Sequence, residues 1–235
     1  MDDVLDARTG LKDTLPTVFG YIGIGLAFGI VGKASGLSPL LVALMSAITY
    51  GGSAQFVMVS MLVSHSTLLS IILAVFLVNA RMILMSMTVA PYFRQERTWH
   101  VVLIGSLLTD ETFALSMNKL NRTQNTLSFP WFNTANLTAY FTWIIASLIG
   151  ALLGNFITDP KRFGLDFALV AMFIGLLYLQ IIADQSMKKA LQLTVVLVTC
   201  ILMYIGLIFI PSNFLVLVVT LLSCGLGMVI KHVLF

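Results

Sequence analysis

Two runs decide how this chain folds: Phe76-Leu-Val-Asn79-Ala-Arg81-Met-Ile-Leu84 and Ser106-Leu-Leu-Thr109-Asp110-Glu111-Thr112-Phe-Ala114. Each lies in the middle of an apolar span, and the charged link Arg94-Gln95-Glu96-Arg97 joins the two spans. If both spans are helices rising about 1.5 Å per residue, depth in the hairpin follows from distance to its turn. Arg81 precedes the centre of the link by fourteen to fifteen residues, and Asp110 follows it by the same number. Cation and acid therefore share one level, roughly 20 Å from the turn. A charge at the centre of a bilayer costs at least about 2.5–3.5 kcal/mol. Three such charges in one hairpin require a partner, a cavity or a purpose.

Composition agrees with a bilayer setting. Of 235 residues, 59% are hydrophobic and only 10% charged, and the mean hydropathy is +1.00; a soluble domain carries about a quarter charged residues. The expected fold is all-α: a polytopic integral membrane protein of seven or eight transmembrane helices, forming a single transporter domain over 1–235. The net charge of +3 is scattered and forms no basic-aromatic stripe, which argues against a nucleic-acid partner. Cys200 and Cys224 fall inside apolar spans and read as small hydrophobes in packed helices rather than a disulfide or a metal site. Residues 1–14 form a polar segment, and its acids give the wrong sign for a signal-peptide n-region. It reads as a surface amphipathic stretch or a frayed end.

Further along, Pro16 suits a first helical turn, and the span to Val31 holds Gly20, Gly23, Gly25 and Gly29. Gly25 and Gly29 could form a small-residue packing face, or the cluster could mark a broken helix. The second span, Leu40 to Val63, is interrupted by Tyr50-Gly51-Gly52-Ser53-Ala54-Gln55. A glycine pair there suits close approach of backbone to a ligand or another helix. The Gln55 amide needs a partner, either another helix or a substrate. Trp99, His100 and Trp131 read as interfacial anchors. Gly150 and Gly154 repeat the small-residue spacing in the fifth span. The sixth span, Leu165 to Ala183, carries Gln180. Gly36–Leu44 echoes Gly164–Met172, so two structural repeats with broken helices are an open alternative. The distribution of Lys and Arg does not fix the orientation.

A zwitterionic amino acid crossing a bilayer needs positive groups at its carboxylate and negative groups at its ammonium. Arg81 can hold a carboxylate bidentately. Asp110, by depth, faces Arg81; its neighbour Glu111 points about 100° away and is left for substrate or proton. The alternative is a purely structural Arg81–Asp110 pair, in a channel or in a transporter of another small zwitterion or ion. A channel would need polar rings along a span, whereas polar groups cluster here at one level. An enzyme would need a nucleophile beside a base, and no HExxH, GxSxG or paired-aspartate motif is present. No cofactor or metal is implied.

Four features in order, Gly20-Tyr-Ile-Gly-Ile-Gly-Leu-Ala-Phe-Gly29, Tyr50-Gly-Gly-Ser-Ala-Gln-Phe56, Asn79-Ala-Arg81 and Leu108-Thr-Asp-Glu-Thr-Phe113, resemble the AzlC family of bacterial branched-chain amino acid exporters. The resemblance covers nearly the whole chain and is specific from about Leu15 to Leu115. Two departures are Gly51-Gly52, where the family often has Ala-Gly, and Met82, where histidine commonly follows the arginine. The resemblance implies a multi-pass permease of the bacterial plasma (inner) membrane. It would expel valine, leucine, isoleucine and sometimes methionine, together with a small hydrophobic subunit of the AzlD type. Gln55, Asn79, Arg81, Asp110, Glu111, Gly51 and Gly52 are the expected substrate contacts, with Glu111 and Asp110 the expected proton carriers.

Overall fold

The computed structural model describes residues 4–156, 170, 174–175, 177–178, 181–182, 188–209 and 212–234. Every regular element among them is helical: α1 (Ala7–Ala34), α2 (Pro39–Ile48), α3 (Gly52–Val63), α4 (Leu68–Asn79), α5 (Arg81–Val89), α6 (Thr98–Ser106), α7 (Asp110–Leu120), α8 (Phe129–Leu153), α9 (Lys189–Phe209) and α10 (Ser212–Leu234), with short 3₁₀ turns after α5 and α8. Ala7–Ala34, Leu68–Phe93, Phe129–Phe156 and Lys189–Phe209 are each long and apolar enough to cross a membrane. The chain divides into two compact units, 1–174 and 175–235. In the second, α9 and α10 pack on each other, with Gly227 against Val195. Cys200 and Cys224 are free thiols on exposed faces of these helices rather than packed inside them. Gln180 and the Gly164–Met172 half of the internal echo lie outside the described residues.

Helix starts follow the chemistry of their caps. Side chains of Asp6, Ser38, Thr67, Thr109 and Ser128 each accept from a backbone N–H three residues on, and proline follows in the first turn of α2 and α8. The Asp6 cap corrects two expectations. Its Oδ1 takes the Thr9 amide at 2.7 Å, so α1 begins nine residues before Pro16 and runs through it. The polar N-terminal stretch is neither frayed nor wholly at the surface, since Thr9, Asp13 and Thr14 are buried.

α1 and α8 form the centre of the first unit. A β-carbon added to Gly10 would strike Trp131, one at Gly25 would strike Ala146, and one at Gly29 would fall on the Ser147 carbonyl and the Ala151 amide. These contacts advance together along both chains, so the helices run parallel. Gly150 meets the backbone of Leu26 and Gly154 meets Lys33, so the glycine pairs of the two helices interdigitate. The unbroken α1 resolves the two readings of its glycines in favour of packing. Two aromatic clusters fill the space around this axis, one of Tyr21, Phe28 and Trp143, the other of Phe93, Trp131 and Phe132. Trp131 is fully buried rather than an interfacial anchor; Trp99, by contrast, is exposed.

The hairpin read from sequence as two unbroken helices is interrupted on both sides. Between α4 and α5 the interruption is slight, because Ala80 keeps helical torsions. Between α6 and α7 it is complete: Leu107 leaves the helix and Thr109 is extended at φ −132°, ψ 171°. The second span is likewise broken, with Tyr50 at φ +31° and Gly51 extended. Each halved helix frees backbone groups at its break, which must be met by protein or by a cavity.

Candidate functional site

The breaks meet. Tyr50, Gly51, Gly52 and Ser53 from the second span line a cavity of about 20 Å³ together with Arg81, Met82, Thr109, Asp110, Glu111, Tyr21 and Trp143. That volume holds about one water.

Arg81 Nη2 lies 2.7 Å from Asp110 Oδ2 and donates to Ser53 Oγ at 3.1 Å. The Arg81 side chain is 38% exposed and that of Asp110 14%. Asp110 and Glu111 occupy the first turn of α7, where the positive end of the helix dipole favours carboxylates. Thr109 and Thr112 cap that turn reciprocally. Glu111 faces another way, as adjacent helical positions must. The Tyr21 hydroxyl lies 2.7 Å from Glu111 Oε2 and 2.8 Å from Thr109 Oγ1. A carboxylate can only accept, so tyrosine donates to Glu111 and accepts from threonine.

α3 begins at the same cavity with Gly51 as its N-cap and no side-chain cap. Its first amides are therefore available to an anion. A side chain at Gly51 would meet Asn79 Oδ1 at 3.0 Å, and one at Gly52 would meet the Trp143 ring at 2.9 Å. The two glycines thus make room for Asn79 and an indole. Asn79 Oδ1 is buried with no hydrogen-bond partner among the described residues.

Of the residues singled out from sequence, Gly51, Gly52, Arg81, Asp110 and Glu111 line the cavity, and Asn79 stands behind Gly51. Gln55 does not. It is fully buried, donating to Ser46 Oγ at 3.2 Å and accepting from Trp143 Nε1 at 2.8 Å. Its amide joins α2, α3 and α8 away from the cavity, as the interhelical alternative expects. Sequence reasoning missed Tyr21, Tyr50, Ser53, Thr109 and Trp143. Nothing in a hydroxyl or indole among apolar neighbours signals that it will turn toward a charge three elements away.

One turn beyond Met82, Ser86 helps line a second, apolar cavity of about 230 Å³ between α5 and α6, whose walls include Met87, Phe93, Ile104 and Leu108. Leu108 adjoins Thr109 of the polar cavity, so the two cavities meet at the break between α6 and α7.

The sequence profile of a family described as AzlC protein matches residues 16–157, the stretch that holds every cavity-lining residue. The chain belongs to the AzlC family. It is 31% identical to the inner membrane protein YgaZ of Escherichia coli strain K12, over 80% of this chain and 77% of that one. It is 25% identical to the branched-chain amino acid transport protein AzlC of Bacillus subtilis strain 168, over 78% and 71%. An uncharacterized membrane protein of Helicobacter pylori strain 26695 is 26% identical over 84% and 85%. No solved structure matches the chain with comparable significance. As an AzlC-family chain, this protein is an all-α membrane protein of a transport family.

Proposed function

We propose that this AzlC-family protein is a permease subunit that exports the branched-chain amino acids valine, leucine and isoleucine, and sometimes methionine, across the bacterial plasma (inner) membrane. Export is driven by the proton gradient and carried out with a small hydrophobic AzlD-type subunit. One observation carries the reading: a fixed cation, two carboxylates and an uncapped helix start surround one cavity where three spans are interrupted. Arg81 and the free amides of α3 suit a carboxylate. Glu111 suits an ammonium. The apolar cavity lined by Met87, Ile104 and Leu108 suits an aliphatic side chain. Substrate and proton compete for Glu111 in this scheme, which couples one to the other. The name of the Bacillus subtilis relative supports the substrate class.

With room for one water, the polar cavity takes an amino acid only after Asp110 and Arg81 separate, so the carboxylate of the substrate replaces Asp110 at the guanidinium. The competing reading keeps the 2.7 Å Arg81–Asp110 contact as a permanent structural pair. Radiolabelled leucine flux in proteoliposomes under an imposed pH gradient, with and without the small subunit, separates the two. Gradient-driven flux in the native protein and its loss in a folded Glu111→Gln variant is the expected result. Undiminished driven flux in Glu111→Gln ends the coupling role, and absence of leucine flux in any arm ends the substrate assignment.

A further inference from the structure

The same helices that carry the cavity carry a second ionic layer. Lys119 Nζ lies 2.9 Å from Asp13 Oδ2, and Trp131 Nε1 donates to the same oxygen at 3.0 Å. Lys119 is eight residues beyond Glu111 on α7, and Asp13 is eight before Tyr21 on α1. The two layers are thus about 12 Å apart, with the lower one next to the polar loop Asn121–Ser128.

Between them runs a polar stripe in an otherwise apolar interior. Thr112, Ser116 and Lys119 recur on one face of α7, and all three are fully buried. Thr14 on α1 and Asn136 on α8 are also fully buried. The parallel register of α1 and α8, Gly10 beside Trp131 and Gly25 beside Ala146, sets Asn136 at the depth of Leu15. The antiparallel register of α1 and α7, Tyr21 with Glu111 and Asp13 with Lys119, sets Ser116 at the depth of Pro16. Asn136 and Ser116 therefore stand at one level between the two layers.

Thr14 and Ser116 satisfy their own hydroxyl protons on helix carbonyls at 2.7 Å. Asn136 has no such outlet: neither Nδ2 nor Oδ1 has a partner among the described residues. A sealed primary amide with donor and acceptor both unmet is a place where water is held. Toward the cavity the chain of contacts is continuous: Glu111 to Tyr21 at 2.7 Å, Tyr21 to Thr109 at 2.8 Å, and Thr109 to Thr112 at 3.3 Å. From Thr112 to Ser116, and from Ser116 to Lys119, each step is about one helical turn, a gap of the size one bridging water spans.

We propose that this seam between α1, α7 and α8 is the proton route to Glu111, hydrated at Asn136 and entered from the face that carries the loop Asn121–Ser128. A proton passes along waters and hydroxyls from that face to the Glu111 carboxylate. Glu111 is faced by Tyr21 from α1, Tyr50 from the break in the second span, and Asp110 on its own helix. The inference rests on Glu111 being the group that carries the proton.

Asn136→Leu and Ser116→Ala dry the seam without touching the cavity. In the proteoliposome assay, each is expected to reduce pH-gradient-driven leucine flux about tenfold while leucine exchange at equal pH stays within about twofold. Asn136→Leu should melt no lower than the native protein, because the amide makes no hydrogen bond among the described residues. Equal losses in driven flux and exchange, or no loss in either, overturn the proposal, as does a lower melting point for Asn136→Leu. A second measurement needs no amino acid. Protonation of Glu111 after a pH jump is followed by its infrared carboxyl band, identified by its absence in Glu111→Gln. A rate about tenfold slower in Asn136→Leu supports the route even where leucine is not the substrate, and an unchanged rate overturns it.

Discussion

The two ionic clusters on α1 and α7 use similar residues to opposite ends. Asp13, Lys119 and Trp131 meet on one carboxylate oxygen, with Lys119 fully buried, Asp13 5% exposed and the indole spending its one donor there. Asp13 lies inside the unbroken α1, and Lys119 and Trp131 lie at the ends of α7 and α8 beside the loop Asn121–Ser128, away from the breaks within the spans. Arg81, Asp110 and Glu111 sit where helices stop, around a cavity, with an acid to spare and an uncapped helix start opposite. A continuous helix uses its own backbone groups and leaves side chains only each other. A broken one adds amides and space, and so can exchange one partner for another. The first arrangement fixes structure; the second can change occupancy.

Stability measurements in detergent should divide along that line. The largest loss is expected for Lys119→Met, which strands a buried carboxylate at a cost of about 3–5 kcal/mol. Adding Asp13→Leu should restore most of that loss, and a double variant as unstable as the single one would count against pairing as the cause.

Next is Gly29→Leu. Its β-carbon alone would fall on the Ser147 carbonyl, so α1 and α8 must part, at a cost of about 3 kcal/mol or more. Gly20→Leu and Gly23→Leu, with open space at their β-carbons, should express and melt like the native protein, and comparable losses there would remove the packing explanation.

Arg81→Ala should sharpen the contrast with Lys119. The half-exposed pair falls between surface and buried cases, so a loss of about 1–2 kcal/mol is expected, together with complete loss of driven flux. A destabilisation equal to that of Lys119→Met would make both clusters structural.

The smallest effect belongs to Asp6→Ala, which uncaps α1 at its exposed end. The Thr9 amide and hydroxyl hold the Asp6 carboxyl below the ordinary range. A depressed value means that the contribution to stability is present at neutral pH and fades as pH falls through the folded-state value. The melting points of native and Asp6→Ala protein should therefore converge in acid, and a constant difference would point away from the charged cap.

Much of this was legible from residue types and spacing alone. Solvation chemistry made the membrane class plain, because so apolar a chain can satisfy its backbone in lipid only as helices or a closed barrel. Symmetric depth about the Arg94–Arg97 link put Arg81 and Asp110 at one level, since helical rise is uniform, and the small-residue pairs Gly25/Gly29 and Gly150/Gly154 marked packing faces. Tertiary structure alone decided the rest. That Gln55 would meet Ser46 and Trp143 depended on which helices passed it, and no local pattern encodes that. Asp13 fell within a polar N-terminal segment read as surface, and nothing local marked Lys119, because burial belongs to the assembled helices and not to the residue's own neighbours in sequence. Tyr21 entered the site only because α1 runs against α7 in a register that brings residues ninety positions apart within 2.7 Å.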